Sequence, residues 1–214
     1  QYGIPVSYGS YEELADDPDV DLIYIATPHS LHAQQAQMCL ACGKNILMEK
    51  AFTANARQAQ AVFDAADQAG LLCTEAIWTR YMPSRTMINE LLDSGVIGDI
   101  RTVSANLAYA TSHKARITNP ELAGGALLDV GVYALNFIDM VMRGRDVDQI
   151  ATSMMPYATG VDAQSSTMLR YGDDVMATAD CSMLAYSDRG GYIWGTNGYL
   201  VCTNINDVES IDVY

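Results

Sequence analysis

Positive charge is scarce in this 214-residue sequence, in which 12 lysine and arginine residues stand against 26 aspartate and glutamate residues and leave a formal net charge of −14. Nucleic acids and anionic membrane surfaces are themselves negatively charged and attract cationic proteins. The charge balance therefore argues against both as partners, although it carries no information about the fold.

The sequence also lacks the marks of a secreted or membrane protein. Its five cysteines are an odd number in a chain of this length, which does not indicate a disulfide framework and favours a reducing, cytoplasmic setting. We find no apolar run of the roughly 20 residues that a membrane span needs and no signal peptide at the start. The chain opens at Gln1 without an initiator methionine and ends in a strand-like segment, residues 210–214, that we expect to be unpaired, so we predict truncation at both ends.

The first third of the chain alternates short apolar runs with longer helical patterns. We predict strands over residues 21–26, 45–48 and 71–75, and a short helix over residues 11–15. Ser30 is expected to cap a helix that ends at Cys42, and Thr53 or Asn55 to cap a helix that ends at Ala69. Strands and helices at this spacing predict βαβ units and a parallel sheet.

The pattern changes after Glu75. Residues 84–94 and 129–142 read as helices, and residues 101–109, 149–157, 165–171, 175–186, 189–194 and 199–203 as strands, with hairpin turns at 172–174 and 196–198. Consecutive hairpins are typical of antiparallel sheets. We therefore predict an α/β protein: a partial parallel sheet in residues 1–76, then an α+β domain with a large, mostly antiparallel open sheet in residues 77–214.

The strongest functional signal is a lysine at the end of a strand. The apolar run Asn45-Ile46-Leu47-Met48 leads directly into Glu49-Lys50-Ala51, which places Lys50 at the carboxyl edge of the sheet, where ligands bind in open α/β folds. A lysine held beside a cofactor or in a dry pocket becomes available for proton chemistry. The alternative is a strand-end lysine whose ammonium group extends to water.

A second signal combines a carboxylate and a phenol in an apolar helix. Asp129 and Tyr133 follow Gly124-Gly125 and are four residues apart, so a helix would place them on one face. A phenol becomes a usable acid where a lysine and a bound cationic ring favour the phenolate. The alternative is a helix N-terminal acid next to a tyrosine packed on the sheet.

A zinc site is suggested by His29-x-x-His32 and Cys39-x-x-Cys42, because each pair has a suitable spacing. The two pairs do not fit one ion. His32 and Cys39 are seven residues apart on a predicted helix, which is about 10 Å along its axis, whereas zinc bonds are about 2 Å long. We therefore predict no metal site and interpret the cysteines as buried helical residues.

Several motifs in order resemble the Gfo/Idh/MocA oxidoreductases, from Ser10 to Tyr214. The segments that carry the resemblance are Ile25-Ala26-Thr27-Pro28 with His32, Glu49-Lys50, Glu75-Ala76-x-Trp78-Thr79-Arg80-Tyr81-x-Pro83, Gly98-Asp99-Ile100, the run from Gly124 to Tyr133, and Gly195-Thr196-x-Gly198-Tyr199. Within the family, the likeness is greatest to members that act on cyclic diols and sugars. The resemblance implies a Rossmann domain that binds NAD or NADP, with NADP favoured, and hydride transfer to or from a carbinol carbon of a sugar, polyol or cyclic diol. It also implies a homodimer or higher homo-oligomer formed through the C-terminal sheet.

The resemblance assigns roles to individual residues. Those of the catalytic group are Lys50, Asp129 and Tyr133, and those expected at the cofactor are Thr27, Pro28, His29, His32, Glu49, Lys50, Trp78 and Arg80. The residues expected at a small, carbohydrate-like substrate are Lys50, Trp78, Arg116, Asp129 and Tyr133.

Two departures from the family pattern have consequences. Ala51 stands where the family has a proline, and because a cis bond before a non-proline residue costs about 3–4 kcal/mol, we predict a trans Lys50–Ala51 bond. No Gly-x-Gly-x-x-Gly turn precedes the strand at Asp21, so the segment that would cradle the pyrophosphate and the residue that would separate NAD from NADP are missing. A non-catalytic family remnant that acts as a sheet-mediated assembly or binding module is the alternative, although the joint presence of Lys50, Asp129 and Tyr133 favours an enzyme.

Overall fold

A computed structural model of the chain describes residues 3–214, which divide into two compact units, residues 3–76 and residues 77–214. Gln1 and Tyr2, on which the prediction of a truncated start depends, lie outside the described residues. The predicted fold class is confirmed, with a small parallel sheet in the first unit and a larger, mostly antiparallel sheet in the second.

The first unit contains a parallel sheet whose strands occur in the order β1-β2-β3. The elements in chain order are α1 (Tyr11–Asp16), β1 (Leu22–Ile25), α2 (His29–Ala41), β2 (Asn45–Met48), α3 (Ala56–Ala69) and β3 (Cys73–Glu75). Asn55 caps α3 by accepting a hydrogen bond from the amide of Gln58 at 3.1 Å, and Gly70 ends the helix at a φ of +65°. The predicted cap of α2 is wrong: the helix begins at His29, after Pro28, with no side-chain cap.

The second unit contains a sheet whose strands occur in the order β10-β9-β8-β4-β7-β6-β5. Its strands are β4 (Ile100–Ala108), β5 (Gln149–Pro156), β6 (Asp162–Tyr171), β7 (Val175–Ser182), β8 (Gly191–Gly195), β9 (Tyr199–Thr203) and β10 (Ser210–Val213). Among the described strands of this second sheet, only β4 and β7 pair in parallel. The strand predicted to run to Tyr186 ends at Ser182, whose hydroxyl accepts the amide of Leu184 and turns the chain.

The last strand is paired, which corrects the expectation that residues 210–214 have no partner. β10 lies antiparallel to β9, with Ser210 opposite Thr203 and Val213 opposite Leu200. Tyr199 and Tyr214 exchange backbone hydrogen bonds of 2.9 and 3.0 Å, and their rings stack with centroids 4.8 Å apart. The chain can fold back because the turn begins at Asn204, which has a φ of +56°, a conformation that asparagine tolerates.

The helices of the second unit are α4 (Pro83–Asp93), α5 (Ala115–Thr118) and α6 (Val132–Met142), with short 3-10 turns at Trp78–Tyr81 and Pro120–Leu122. A π-helical turn, Leu127–Gly131, leads directly into α6, so the predicted helix starts earlier than expected. α6 packs on one face of the sheet and contributes Ala134, Phe137 and Ile138 to the core.

The segment Pro120–Met142 corrects the expectation that no apolar run is long enough to span a membrane. By length and mean hydropathy alone it would be long enough, with a value of 1.5. In the structure, 72% of this apolar window is buried within the protein, as is usual for the core helix of a globular domain.

Candidate active site

The predicted site residues of the first unit lie at the carboxyl edge of the parallel sheet. Thr27, Pro28 and His29 follow β1, Glu49 and Lys50 follow β2, and Glu75 ends β3. Neighbouring strands bring these positions together because they run parallel: the amide of Glu49 donates to Ile25 O at 2.9 Å, and the amide of Ala76 donates to Met48 O at 2.7 Å.

The Glu49 carboxylate is held on both oxygens. The Tyr24 hydroxyl donates to one oxygen, and the Lys50 amide donates to the other at 3.1 Å. The hydrogen bond to Glu49, with smaller contributions from burial and from the charge of Glu49, raises the pKa of Tyr24 to about 12. Tyr24 is therefore a neutral donor that orients the carboxylate beside Lys50.

The bond between Lys50 and Ala51 is cis, so the predicted trans bond is wrong. The prediction considered only the intrinsic preference of the bond. In the folded chain, the two residues after Lys50 are fixed by tertiary hydrogen bonds: the Phe52 amide donates to Glu75 Oε1 at 2.7 Å, and the Ala51 carbonyl lies 2.9 Å from His32 Nδ1. These contacts set the path of the chain directly after Lys50.

His32 does not line an open cleft. It is fully buried, and its ring lies between two strand-end turns, with Nε2 2.8 Å from the Thr27 carbonyl and Nδ1 2.9 Å from the Ala51 carbonyl. A neutral imidazole has one N–H group and can donate to one of these carbonyls at a time. The ring of His29 packs edge-on against His32 with centroids 5.7 Å apart. His32 therefore positions the turn that carries Lys50.

In the second unit, Asp129 is a buried carboxylate with a charged partner. One of its oxygens lies 2.6 Å from Arg116 NH1, and the residue is 5% exposed. Asp129 belongs to the π-helical turn that leads into α6. The structure thus brings together two of the residues that the sequence predicts at the substrate.

Tyr133 lies at the start of α6 and is 8% exposed. The indole Nε1 of Trp78 donates a hydrogen bond to its hydroxyl oxygen at 3.2 Å. Arg80, predicted at the cofactor, has its Nε on the Asn136 side-chain oxygen and an NH2 on Asp139, both on α6. Trp78 and Tyr133, both predicted at the substrate, are therefore paired, and the Arg80 guanidinium is engaged with α6.

Two glycines shape the turn before Asp129. A Cβ atom at Gly124 would lie 2.2 Å from the Ile117 carbonyl oxygen, and one at Gly125, where φ is +120°, would lie 2.0 Å from Asp162 Oδ1. The other Asp162 oxygen accepts the amide of Leu127 at 2.6 Å, in the first turn of the helical segment. Burial raises the pKa of Asp162, and backbone hydrogen bonds from Leu127 and Ala126 oppose the rise. This group was missed from the sequence because nothing local links residue 162 to residue 127.

No group of three or more His, Cys, Asp or Glu side chains within residues 3–214 could hold a metal ion. Cys39 lies buried in α2, where desolvation, with a smaller contribution from Cys42, raises the pKa of its thiol to about 11. A thiol of this kind is a poor metal ligand at neutral pH because the thiolate is the form that binds.

The fold is that of a two-part oxidoreductase with a nucleotide-binding Rossmann unit. A family model described as "Oxidoreductase family, NAD-binding Rossmann fold" matches residues 1–77, and one for the GFO/IDH/MocA C-terminal domain matches residues 86–201. The chain belongs to the GFO/IDH/MocA oxidoreductase family, as its motifs predict.

The similar proteins are longer than this chain. The trans-1,2-dihydrobenzene-1,2-diol dehydrogenase of Mus musculus is 37% identical over 198 residues, which are 92% of this chain and 60% of that protein. The 3-ketoreductase KijD10 of Actinomadura kijaniata, solved with NADP and TDP-benzene, is 25% identical with a TM-score of 0.87 and is matched over 67% of its length. The aldose-aldose oxidoreductase of Caulobacter crescentus shares the fold, with a TM-score of 0.86 at 21% identity; the match covers 96% of this chain and 63% of that one. The chain thus spans about three fifths of the curated relative it matches.

Proposed function

We propose that the protein to which this chain belongs transfers a hydride between a nicotinamide dinucleotide and the carbinol carbon of a sugar, polyol or cyclic diol. In the oxidative direction, the carbinol C–H bond breaks and its electron pair leaves with the hydrogen to nicotinamide C4, while the hydroxyl proton passes to a protein base. The observation that supports this most directly is the hydroxyl of Tyr133, which is mostly buried and accepts a hydrogen bond from the Trp78 indole.

Tyr133 is proposed to exchange the proton with the substrate oxygen. A hydrogen bond to the oxygen of a phenol stabilises the phenolate, because the charged form is the stronger acceptor. The indole N–H of Trp78 supplies such a bond at 3.2 Å. Asp129, held by Arg116, is proposed to orient the substrate or Tyr133.

The carboxyl edge of β1 and β2 is proposed to meet the nicotinamide end of the cofactor. Lys50 is proposed to contact the nicotinamide ribose and the substrate oxygen, and Thr27, Pro28, His29 and Glu49 to lie along the dinucleotide. Lys50 suits this role because hydrogen bonds that involve Glu49, His32 and Glu75 fix the backbone of the turn that carries it. A cation at this edge favours the anionic groups of a dinucleotide.

NADP is proposed as the cofactor, and a carbohydrate-like alcohol or a cyclic diol as the substrate. The dinucleotide named with KijD10 is NADP. The curated relative is named for a cyclic diol and is 37% identical over most of this chain. The likeness to KijD10 supports NADP as the cofactor, and the likeness to the curated relative supports a cyclic diol as the substrate.

The open sheet of the second unit is proposed to mediate self-association with a second copy of the chain. All eight residues of β5 are exposed, although the strand is paired with β6. Large apolar side chains that remain exposed on this sheet include Met155 (60%), Met176 (46%) and Met168 (39%). An exposed apolar patch of this kind typically marks an interface. Light scattering of the purified protein is expected to give a multiple of the monomer mass.

The first test is an intact mass, combined with titration of NADH and NADPH followed by fluorescence. The protein is purified with any sequence that its gene places before Gln1 or after Tyr214. Micromolar binding of a dinucleotide and its oxidation or reduction with a panel of sugars and diols is the expected result. Absence of binding at millimolar dinucleotide would overturn the proposal and support a non-catalytic assembly module.

A further inference from the structure

Three consecutive residues of the 3-10 turn contact one stripe of α6. Trp78 donates to the hydroxyl of Tyr133, Thr79 accepts from the Asn136 amide at 2.9 Å, and Arg80 bonds to both Asn136 and Asp139. Their partners on the helix are spaced three residues apart, and residues at this spacing are neighbours on a helix surface. The turn therefore follows the helix for two successive turns, starting at the phenol.

The central contact is buried, and Asn136 is hydrogen-bonded through both its amide nitrogen and its amide oxygen. Asn136 is 9% exposed and Thr79 is 8% exposed. The amide nitrogen of Asn136 donates to the Thr79 hydroxyl, and its oxygen accepts from Arg80 Nε. Burying an amide without hydrogen-bond partners costs free energy. The bonds of Asn136 to Thr79 and to Arg80 therefore support each other. The sequence offers a sign of this, because Asn136 interrupts an otherwise apolar stretch of α6.

The outer end of the network is also fixed. Arg80 NH2 pairs with Asp139 on α6, and Arg85 NH1 donates to the Arg80 carbonyl at 3.2 Å. Arg80 thus joins the backbone of the turn, the buried amide and a carboxylate. We call Thr79, Arg80, Asn136 and Asp139 the α6 latch.

The latch has a chemical consequence at Tyr133. A phenol oxygen has one proton to donate and two lone pairs to accept with. The Trp78 indole occupies one lone pair, so the phenol cannot point its own proton toward the indole. We propose that the α6 latch positions Trp78 on Tyr133 and so fixes the direction in which Tyr133 exchanges its proton. This inference rests on the proposed function, and it makes Arg80 and Asn136 positioning residues for proton transfer.

The test is a double-mutant cycle on the full protein, with Asn136→Ala and Trp78→Phe made separately and together. Thr79→Val is a second latch variant of nearly the same volume, which removes only the hydroxyl and guards against a variant that fails to fold. The matched control is Arg143→Gln, which breaks the 2.5 Å ion pair of Arg143 with Asp93 just past the end of α6 and leaves the latch intact.

Each latch variant is expected to lower kcat by about tenfold or more while KM changes by less than about twofold, because the lost interaction acts on the chemical step. If the latch works through Trp78, the kcat of the double variant falls no further than the kcat of the less active single variant. Independent effects would instead add. Additive losses, a rise in KM alone, or an equal loss of kcat in Arg143→Gln would each overturn the proposal.

A second readout needs no turnover. The 214 residues contain two tryptophans, so the signal of Trp78 is read in a Trp194→Phe background as the difference from the same background carrying Trp78→Phe, which cancels any other indole of the full protein. Asn136→Ala is expected to shift Trp78 emission to longer wavelength and to raise its quenching by acrylamide relative to that background. Unchanged emission and quenching would overturn the latch even if activity falls. If the wild-type protein turns over no sugar or diol, the proposed function fails, and the role of the latch in proton transfer fails with it.

Discussion

Arg116 and Asp129 form an ion pair whose two members differ in burial: the oxygen–nitrogen distance is 2.6 Å, and the side chains are 51% and 6% exposed respectively. A carboxylate taken out of water needs its partner far more than an exposed guanidinium does. Arg116→Gln is therefore expected to lower the free energy of unfolding by about 1–3 kcal/mol, less than the loss of a fully buried partner. Urea unfolding at neutral pH measures this change.

Arg101→Gln is the matched control for that prediction. Arg101 pairs with Asp99 and Asp174 at 3.4 and 3.7 Å, and all three side chains are about half exposed or more. Exposed pairs of this kind contribute less than about 1 kcal/mol. Equal effects of the two substitutions would show that the burial of Asp129 does not decide the strength of its pair.

Gly125→Ala is expected to be strongly destabilising. The added Cβ would lie 2.0 Å from Asp162 Oδ1, at a φ of +120° that side chains rarely adopt. We expect a loss of about 3 kcal/mol or more, which includes both the backbone conformation and the displaced carboxylate. Gly144→Ala is the control, since φ is +74° there and no atom lies within 4 Å of the added carbon; it should cost about 1–2 kcal/mol. A similar thermal shift for both variants would contradict the role assigned to Asp162.

Asp162 also gives a pH dependence with a definite sign. Burial raises its pKa above the usual value in the folded state, so the folded protein holds this proton more tightly than the unfolded chain does. Protonation of Asp162 therefore stabilises the folded state. This contribution is complete below about pH 4 and is lost as the pH rises through the raised pKa. Urea unfolding is made on the wild type and on Asp162→Asn, which does not titrate at this position. The free energy of unfolding of the wild type, relative to that of the variant, is expected to decrease as the pH rises from about 4 to 7. An advantage that grows over this range would contradict the prediction.

The alternation of strands and helices in residues 11–76 could be predicted because each element carries its own signal. Asn55 and Gly70 delimit α3 through local contacts with their neighbours in sequence, and local contacts are what periodicity and capping rules describe. The positions of Lys50 and Glu49 at the sheet edge followed from the same rules, since a parallel strand has a defined carboxyl end.

The features that the sequence did not reveal depend on distant partners. The cis bond after Lys50 is flanked by contacts from His32 and Glu75, which are 18 and 25 residues away from Lys50. The pairing of β10 depends on β9, and the engagement of Arg80 depends on Asn136, 56 residues further along. Intrinsic preferences of a residue are outweighed when tertiary hydrogen bonds determine the conformation.

Tyr133→Phe separates the proton-transfer role of the hydroxyl from the packing of the ring. The ring projects from α6 and is mostly buried in the core, and phenylalanine preserves its shape, so the fold and dinucleotide binding are expected to be retained. Turnover is expected to fall by about 100-fold or more, the usual contribution of a general acid or base. Tyr11→Phe, at an exposed tyrosine of α1, removes a hydroxyl of the same kind from the surface and should leave turnover unchanged. Steady-state kinetics with unchanged dinucleotide affinity would locate the loss in the chemical step; a Tyr133→Phe variant that retains full activity would show that another group exchanges the proton.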